Sequence, residues 1–180
     1  ISRSPNVLVV RADSPYKSVQ DIVQAAQANP GKLTYASQGN GTSAHLAAEL
    51  FNALAKVNIL HIPYKGASAA LTDIVGGQVD LMFATSAGAT PLLDSGRLRA
   101  LAVTTPERSP AFPALPTMIE AGVPEYQATS WYGLYVPAGT PTAVIARLNA
   151  AATKVAQADA FKSRVASEGL VISTGTPKQL

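Results

Sequence analysis

The sequence has no cysteine. Thiol catalysis, Cys-ligated zinc and disulfides are excluded at once, while an oxidising compartment is left open. Charge is scarce: 14% of the 180 residues are charged and the net charge is +3. The basic residues are scattered and aromatics do not interleave with them, so there is no nucleic-acid footprint. No apolar run approaches the roughly 18 residues needed to span a bilayer. Aromatics make up 6% and there are only two histidines. The chain is not poor in apolar residues, which reach 47%, enough for a sizeable core in one domain or parts of two. It starts at Ile1 and stops at Thr176-Pro177-Lys178-Gln179-Leu180. Thr then Pro opens a helix that does not follow, so an internal piece of a longer protein is expected.

The stretch Leu33 to His45 organises the rest. Leu33 to Ala36 is short, apolar and β-prone. Gly39 and Gly41 admit backbone conformations other residues avoid, Thr42 and Ser43 are helix N-caps, and Leu46, Leu50 and Leu54 repeat at helical spacing. A turn of this kind ends in free N–H groups at the positive end of a helix dipole, an anion site. Upstream, Asn6 to Val10 reads as a buried strand, and Ser18 with Asp21 forms a capping-box pair ahead of Val19, Ile22, Val23 and Ala26. Downstream come a strand at Asn58 to Tyr64, a helix at Ala67 to Val75, a strand at Val79 to Ala84, a short helix at Pro91 to Asp94 and a strand at Arg99 to Thr104. The succession predicts an α/β fold, a parallel sheet with helices on both faces, in which loops after the strands' carboxyl ends hold the ligand. Three loops converge: Ser37 to Ser43, Tyr64 to Ser68, and Thr85 to Ala89. Beyond Thr105 five prolines mark an irregular segment. An aromatic strand follows at Trp131 to Val136, then a helix capped by Thr140 with Val144, Ile145, Leu148 and Ala152 inward, a helix at Asp159 to Ser167 and a short strand at Leu170 to Ile172.

Gly39-x-Gly41-x-x-Ala44 matches a loosened dinucleotide fingerprint. The acidic residue required at the end of the next strand is absent from Ile62-Pro63-Tyr64-Lys65-Gly66, and a nucleotide-binding α/β enzyme stays as the alternative. No Walker loop and no Gly-x-Ser-x-Gly elbow is present. His61 reads as a satisfied core histidine; His45 divides between packing or capping and ligand contact. The loops offer almost no carboxylates, so no metal site is expected. They offer hydroxyls, amides and backbone N–H groups: Ser37, Gln38, Gly39, Asn40, Gly41, Thr42, Ser43, Tyr64, Gly66, Ser68, Thr85 and Ser86. This is binding chemistry without a nucleophile–base pair.

Asn6-Val7-Leu8-Val9-Val10, Tyr35 to Ala47, His61-Ile62-Pro63-Tyr64-Lys65-Gly66, Gly77 to Phe83, Leu98 to Thr104, Trp131-Tyr132-Gly133 and Pro137 to Pro141 together resemble the Bug family, the periplasmic solute-binding receptors of tripartite tricarboxylate transporters. The resemblance covers essentially the whole chain. It implies a two-lobed Venus-flytrap receptor of the periplasmic binding protein type II kind, monomeric, periplasmic, without catalysis or cofactor, and with transporter membrane subunits as partners. Residues 11–126 correspond to the second lobe; 1–10 and 127–180 correspond to hinge strands and part of the first. The family's carboxylate grip maps onto Ser37 and Gly39 to His45, and its next turn onto Tyr64 to Gly66. Many family members carry Asp where this chain has Ala84. With no loop carboxylate to pair an ammonium, this departure from the family pattern leads to the expectation of an acid without an amino group, such as a dicarboxylate, a tricarboxylate or an aromatic acid.

Overall fold

A ten-residue strand, β1 (Ser2–Arg11), runs through the middle of the molecule. Val7, Leu8, Val9 and Val10 have no exposed surface. Side chains alternate along a strand: Leu8 and Val10 enter one apolar cluster, Val7 and Val9 the other. Both faces are therefore covered, which is why the run is continuously apolar. The computed structural model describes residues 2–167 and 169–179. Ile1, Glu168 and Leu180, within the expected hinge and first-lobe ranges, lie outside the described residues.

The chain continues through α1 (Val19–Ala28), β2 (Thr34–Ser37), α2 (Ser43–Ala55), β3 (Leu60–Pro63), α3 (Ala67–Val75), β4 (Leu81–Thr85), α4 (Ser86–Asp94) and β5 (Leu98–Val103). The strand order is β3-β2-β4-β1-β5. α1 and α2 cover one face with Val19, Ile22, Ala47, Ala48 and Phe51, joined by Tyr126 and Met118 from the proline-rich segment. α3 and α4 cover the other with Ala70, Leu71, Ile74 and Ala89.

The sheet corrects the expectation of parallel strands. β2 pairs parallel to both β3 and β4, but β1 is antiparallel to β4 and β5. A strand buried on both faces carries no sign of its direction. Connectivity decides instead: β4 and β5 leave a strand's width between them, and β1 fills it from the opposite end. β1 also extends out of this sheet. Its residues Ser2 to Pro5 pair with β6 (Thr129–Tyr132), and Ser2 and Arg3 pair with β7 (Val171–Ile172). One strand thus belongs to two sheet segments.

Two further expectations change. α4 starts at Ser86 rather than Pro91. Gly88 lets this first turn lie close to its neighbours: a Cβ there would stand 3.2 Å from Thr85 Oγ1 and 3.6 Å from Leu71 Cδ1. The aromatic strand is shifted toward Thr129, and α5 (Thr142–Gln157) is capped by Pro141, because Thr140 Oγ1 donates back to Pro137 O at 2.8 Å. Val144 and Leu148, expected inward, are exposed. Leu148, with Trp131, Tyr132, Leu134 and Ile145, lines an open groove of about 780 Å³, which no described residue fills. α6 (Asp159–Ser167) packs against α5.

Candidate functional site

α1 is closed by a complete capping box: Ser18 Oγ accepts from Asp21 N, and the Asp21 carboxylate accepts from Ser18 N at 2.9 Å. α2, α3 and α4 begin after β2, β3 and β4 with Thr42, Gly66 and Thr85 as N-caps, and none of the three has a side-chain cap. Thr42 has the extended backbone of a cap, but its hydroxyl donates to Gly39 O at 2.7 Å instead. Uncapped first-turn N–H groups carry the positive end of the helix dipole. They occur here on the helices that follow three co-directional strands, and on α5 (Thr142–Gln157) as well.

The turns are tied to one another. Tyr64 N donates to Ser37 O at 3.0 Å and Gly66 N to Gln38 O at 3.3 Å, which joins the second turn to the first. Gly39, Gly41 and Gly66 take φ of +133°, +75° and +113°, a region favouring glycine. A Cβ on Gly39 would also stand 3.5 Å from Tyr64 O. The third turn is reached through Asn6, which pairs with Thr85 across β1 and β4 while its Nδ2 donates to Ser43 O at 3.4 Å. Asn6 Oδ1 accepts from Ser130 Oγ at 3.0 Å, and Ser4 Oγ lies 3.0 Å from Ser86 Oγ. This buried polar seam where β1 leaves one sheet segment for the other was missed by sequence reasoning. Its signal was the single polar residue heading the run Val7 to Val10.

Asn40 and Gly41 are exposed, and Thr42, Ser43, His45, Tyr64, Gly66 and Thr85 are half-buried at the same edge. Ser37 is fully buried; its Oγ accepts from Gly39 N at 3.1 Å, donates to Gly39 O at 3.0 Å and lies 2.7 Å from His61 Nε2. A serine–histidine contact therefore exists, but a hydroxyl with no exposed surface meets no substrate, so it shapes the turn. Burial, and then the neighbouring His45, holds His61 below its ordinary pKa. Gln38 Oε1 is buried in the same turn without a hydrogen-bond partner. Ala84 is buried in the core. The carboxylates behind the turns belong to Glu49, which accepts from Tyr35 OH at 2.5 Å, and Asp73, which accepts from Tyr64 OH at 2.7 Å. Among the described residues no group of three or more His, Cys, Asp or Glu forms a metal cluster, and no helix is long and apolar enough to cross a membrane.

Burial, with the bond to Asp73, pushes the Tyr64 phenol up to about 12. Its neutral form is favoured in the folded state. The linked stability is fully present below the ordinary tyrosine value of about 10 and is lost as pH rises through the folded value. Alkaline difference absorbance, taken against Tyr64→Phe, should place the midpoint of this phenol above the ordinary tyrosine value. Asp73→Asn should lower its midpoint; an unmoved midpoint would refute the assignment.

The sequence profile described as the tripartite tricarboxylate transporter family receptor, TctC, matches residues 1–180. A UPF0065 protein encoded in the tcbD-tcbE intergenic region of Pseudomonas sp. strain P51 is 41% identical over 177 residues, 98% of this chain and 53% of that protein. The R. palustris protein Rpa4515, solved with adipate, is 36% identical with a TM-score of 0.93, covering 99% of this chain and 60% of its own. MatC from Rhodopseudomonas palustris, solved with bound malate, is 31% identical with a TM-score of 0.88, covering 99% of this chain and 60% of its own. The chain spans about half the length of the curated relative and three fifths of the solved ones. From end to end it belongs to the family of tripartite tricarboxylate transporter receptors, whose Bug members its motifs resemble.

Proposed function

We propose that this chain carries the carboxylate-gripping lobe, residues 11–126, and the hinge strands of a periplasmic solute-binding receptor. Residues 1–10 and 127–180 are the hinge and part of the first lobe. The receptor works as a monomer without catalysis or cofactor, and hands its ligand to the membrane subunits of a tripartite tricarboxylate transporter. The observation that supports this reading is the contrast in capping: α1 has a full box, while α2, α3 and α4, which follow the parallel strands, have no side-chain cap. Ser43 and Thr85 hydroxyls and the Asn40 amide are placed to add contacts.

A charge-assisted hydrogen bond nets roughly 1.5–3 kcal/mol and a helix terminus adds about 0.3–1 kcal/mol. Three or four such contacts approach the ~8 kcal/mol of micromolar binding. The ligand is an acid without an amino group, because Glu49 and Asp73 are engaged by phenols rather than turned to an ammonium. The adipate and malate of the two solved relatives are of this class.

Titration calorimetry of the full chain with adipate, malate, citrate, benzoate, glutamate and NAD tests the reading. Heat from one or more of the acids lacking an amino group is expected. Glutamate preferred over every other acid would overturn the class. Silence from all acids with heat from NAD would return the Gly39 to Ala44 turn to a nucleotide-binding enzyme.

A further inference from the structure

Three rings are stacked behind the first turn. Tyr35 from β2 lies 4.7 Å from His61 of β3 at 12°, and His61 lies 4.2 Å from His45 of α2 at 16°. One helical turn beyond His45 on the same face, Glu49 holds the Tyr35 hydroxyl. The groups facing the histidine pair are thus Tyr35 from β2 and Glu49 from α2. Each histidine also holds the turn directly. His61 Nε2 meets Ser37 Oγ, and His45 Nδ1 accepts from Gly41 N at 3.0 Å. Only an unprotonated ring nitrogen accepts a hydrogen bond.

We propose that His45 is a positioning residue for the anion turn: its neutral Nδ1 anchors the Gly41 amide, and its protonation releases the turn and weakens carboxylate capture. The capture half of this proposal rests on the receptor reading above. Gly41 and Gly39 both sit at positive φ, where glycine has the most conformational freedom to lose, so each tie on this turn matters. A proton on Nδ1 would set two N–H groups head to head across the present contact. The charge gained would itself attract an anion, so the lost anchor must outweigh that attraction for capture to weaken. Stacking at 4.2 Å also disfavours charge on both rings together.

The test is read first without ligand. The ¹⁵N–¹H signal of Gly41 in the full chain should move with pH in step with the His45 ring protons. In His45→Gln, which keeps an acceptor but does not titrate, it should stay fixed. In His45→Phe, which keeps a ring but has no acceptor, it should sit at the low-pH position throughout. Affinity is then measured for an alkane disulfonate, whose own charge is constant. Binding is expected to weaken about tenfold as the pair becomes charged, the equivalent of one ordinary hydrogen bond, and to stay level in His45→Gln. A Gly41 signal that ignores pH, or that titrates equally in His45→Gln, overturns the proposal. So does affinity that rises on acidification. Absence of binding by acids and disulfonate at every pH overturns the receptor reading and the capture half with it, while the Gly41 titration still decides the anchoring half.

Discussion

Thr42→Asp is expected to stabilise the protein and to abolish carboxylate binding. Thr42 occupies the N-cap of α2 with φ −72° and ψ 164°, yet its hydroxyl bonds Gly39 O and not the helix. An aspartate there has the geometry to accept from the first-turn N–H groups. A formed cap adds about 0.5–1 kcal/mol, and a negative charge at the positive helix end about 0.3–1 kcal/mol more. For a chain of this size that is a rise of roughly 2–6 °C in Tm. The same carboxylate occupies the donors the ligand needs and repels it. Loss of two charge-assisted bonds, about 3–4 kcal/mol, lowers affinity at least 100-fold. Thr42→Asn separates the two causes: it caps without charge, so it should keep part of the stability gain and lose less affinity. Scanning fluorimetry and calorimetry on one set of samples read both. Unchanged affinity in Thr42→Asp would remove α2 from the site.

The second large effect concerns the core. Phe83 on β4 is fully buried; its ring lies 5.7 Å from Phe51 of α2 and 6.0 Å from Tyr126. Tyr126 OH in turn donates to Ala47 O of α2 at 2.8 Å. Phe83→Ala should cost about 3–5 kcal/mol of a total that is typically 5–15, read from urea midpoints with an unchanged slope. The cavity would open beneath the helix that carries Ser43 and His45. Phe83→Leu should cost less, about 1–2 kcal/mol, because more of the volume is kept. A loss under about 1 kcal/mol in the alanine variant would mean that the site collapses and refills.

Most of this arrangement was written locally. Ser18 and Asp21 announced the start of α1, and α3 has the bounds read from its apolar spacing. Gly39 and Gly41 announced a turn because that residue type takes a positive φ most readily. What escaped depends on partners distant in the chain. The direction of β1 follows from how β4 and β5 leave room for it. Thr42 was a cap by type, but Gly39 O competes for its hydroxyl. His61 read as a satisfied core histidine; it is half-buried on β3, outside both apolar clusters, and its side-chain contact is with Ser37 in the candidate site. Asn6 reaches Ser130 across 124 positions of sequence. Val144 and Leu148 of α5 are exposed, so its spacing forecast a burial that the described residues do not supply.

β1 also sets the tempo of folding. Its partners are strung along the chain: Thr85 for Asn6, Val103 for Val7, Tyr132 for Ser2, and Ile172 for Ser2 again. Each pairing closes a loop of growing length, and its entropy is lost before the contact is made. Non-local pairing of this kind slows folding by orders of magnitude relative to helical chains of similar stability. Of the described strands β1 is made first and fully paired last, and until residues 171–172 exist its outer half has one neighbour fewer. The same strand that joins the two sheet segments therefore stays incompletely paired until the last of the described strands has been made.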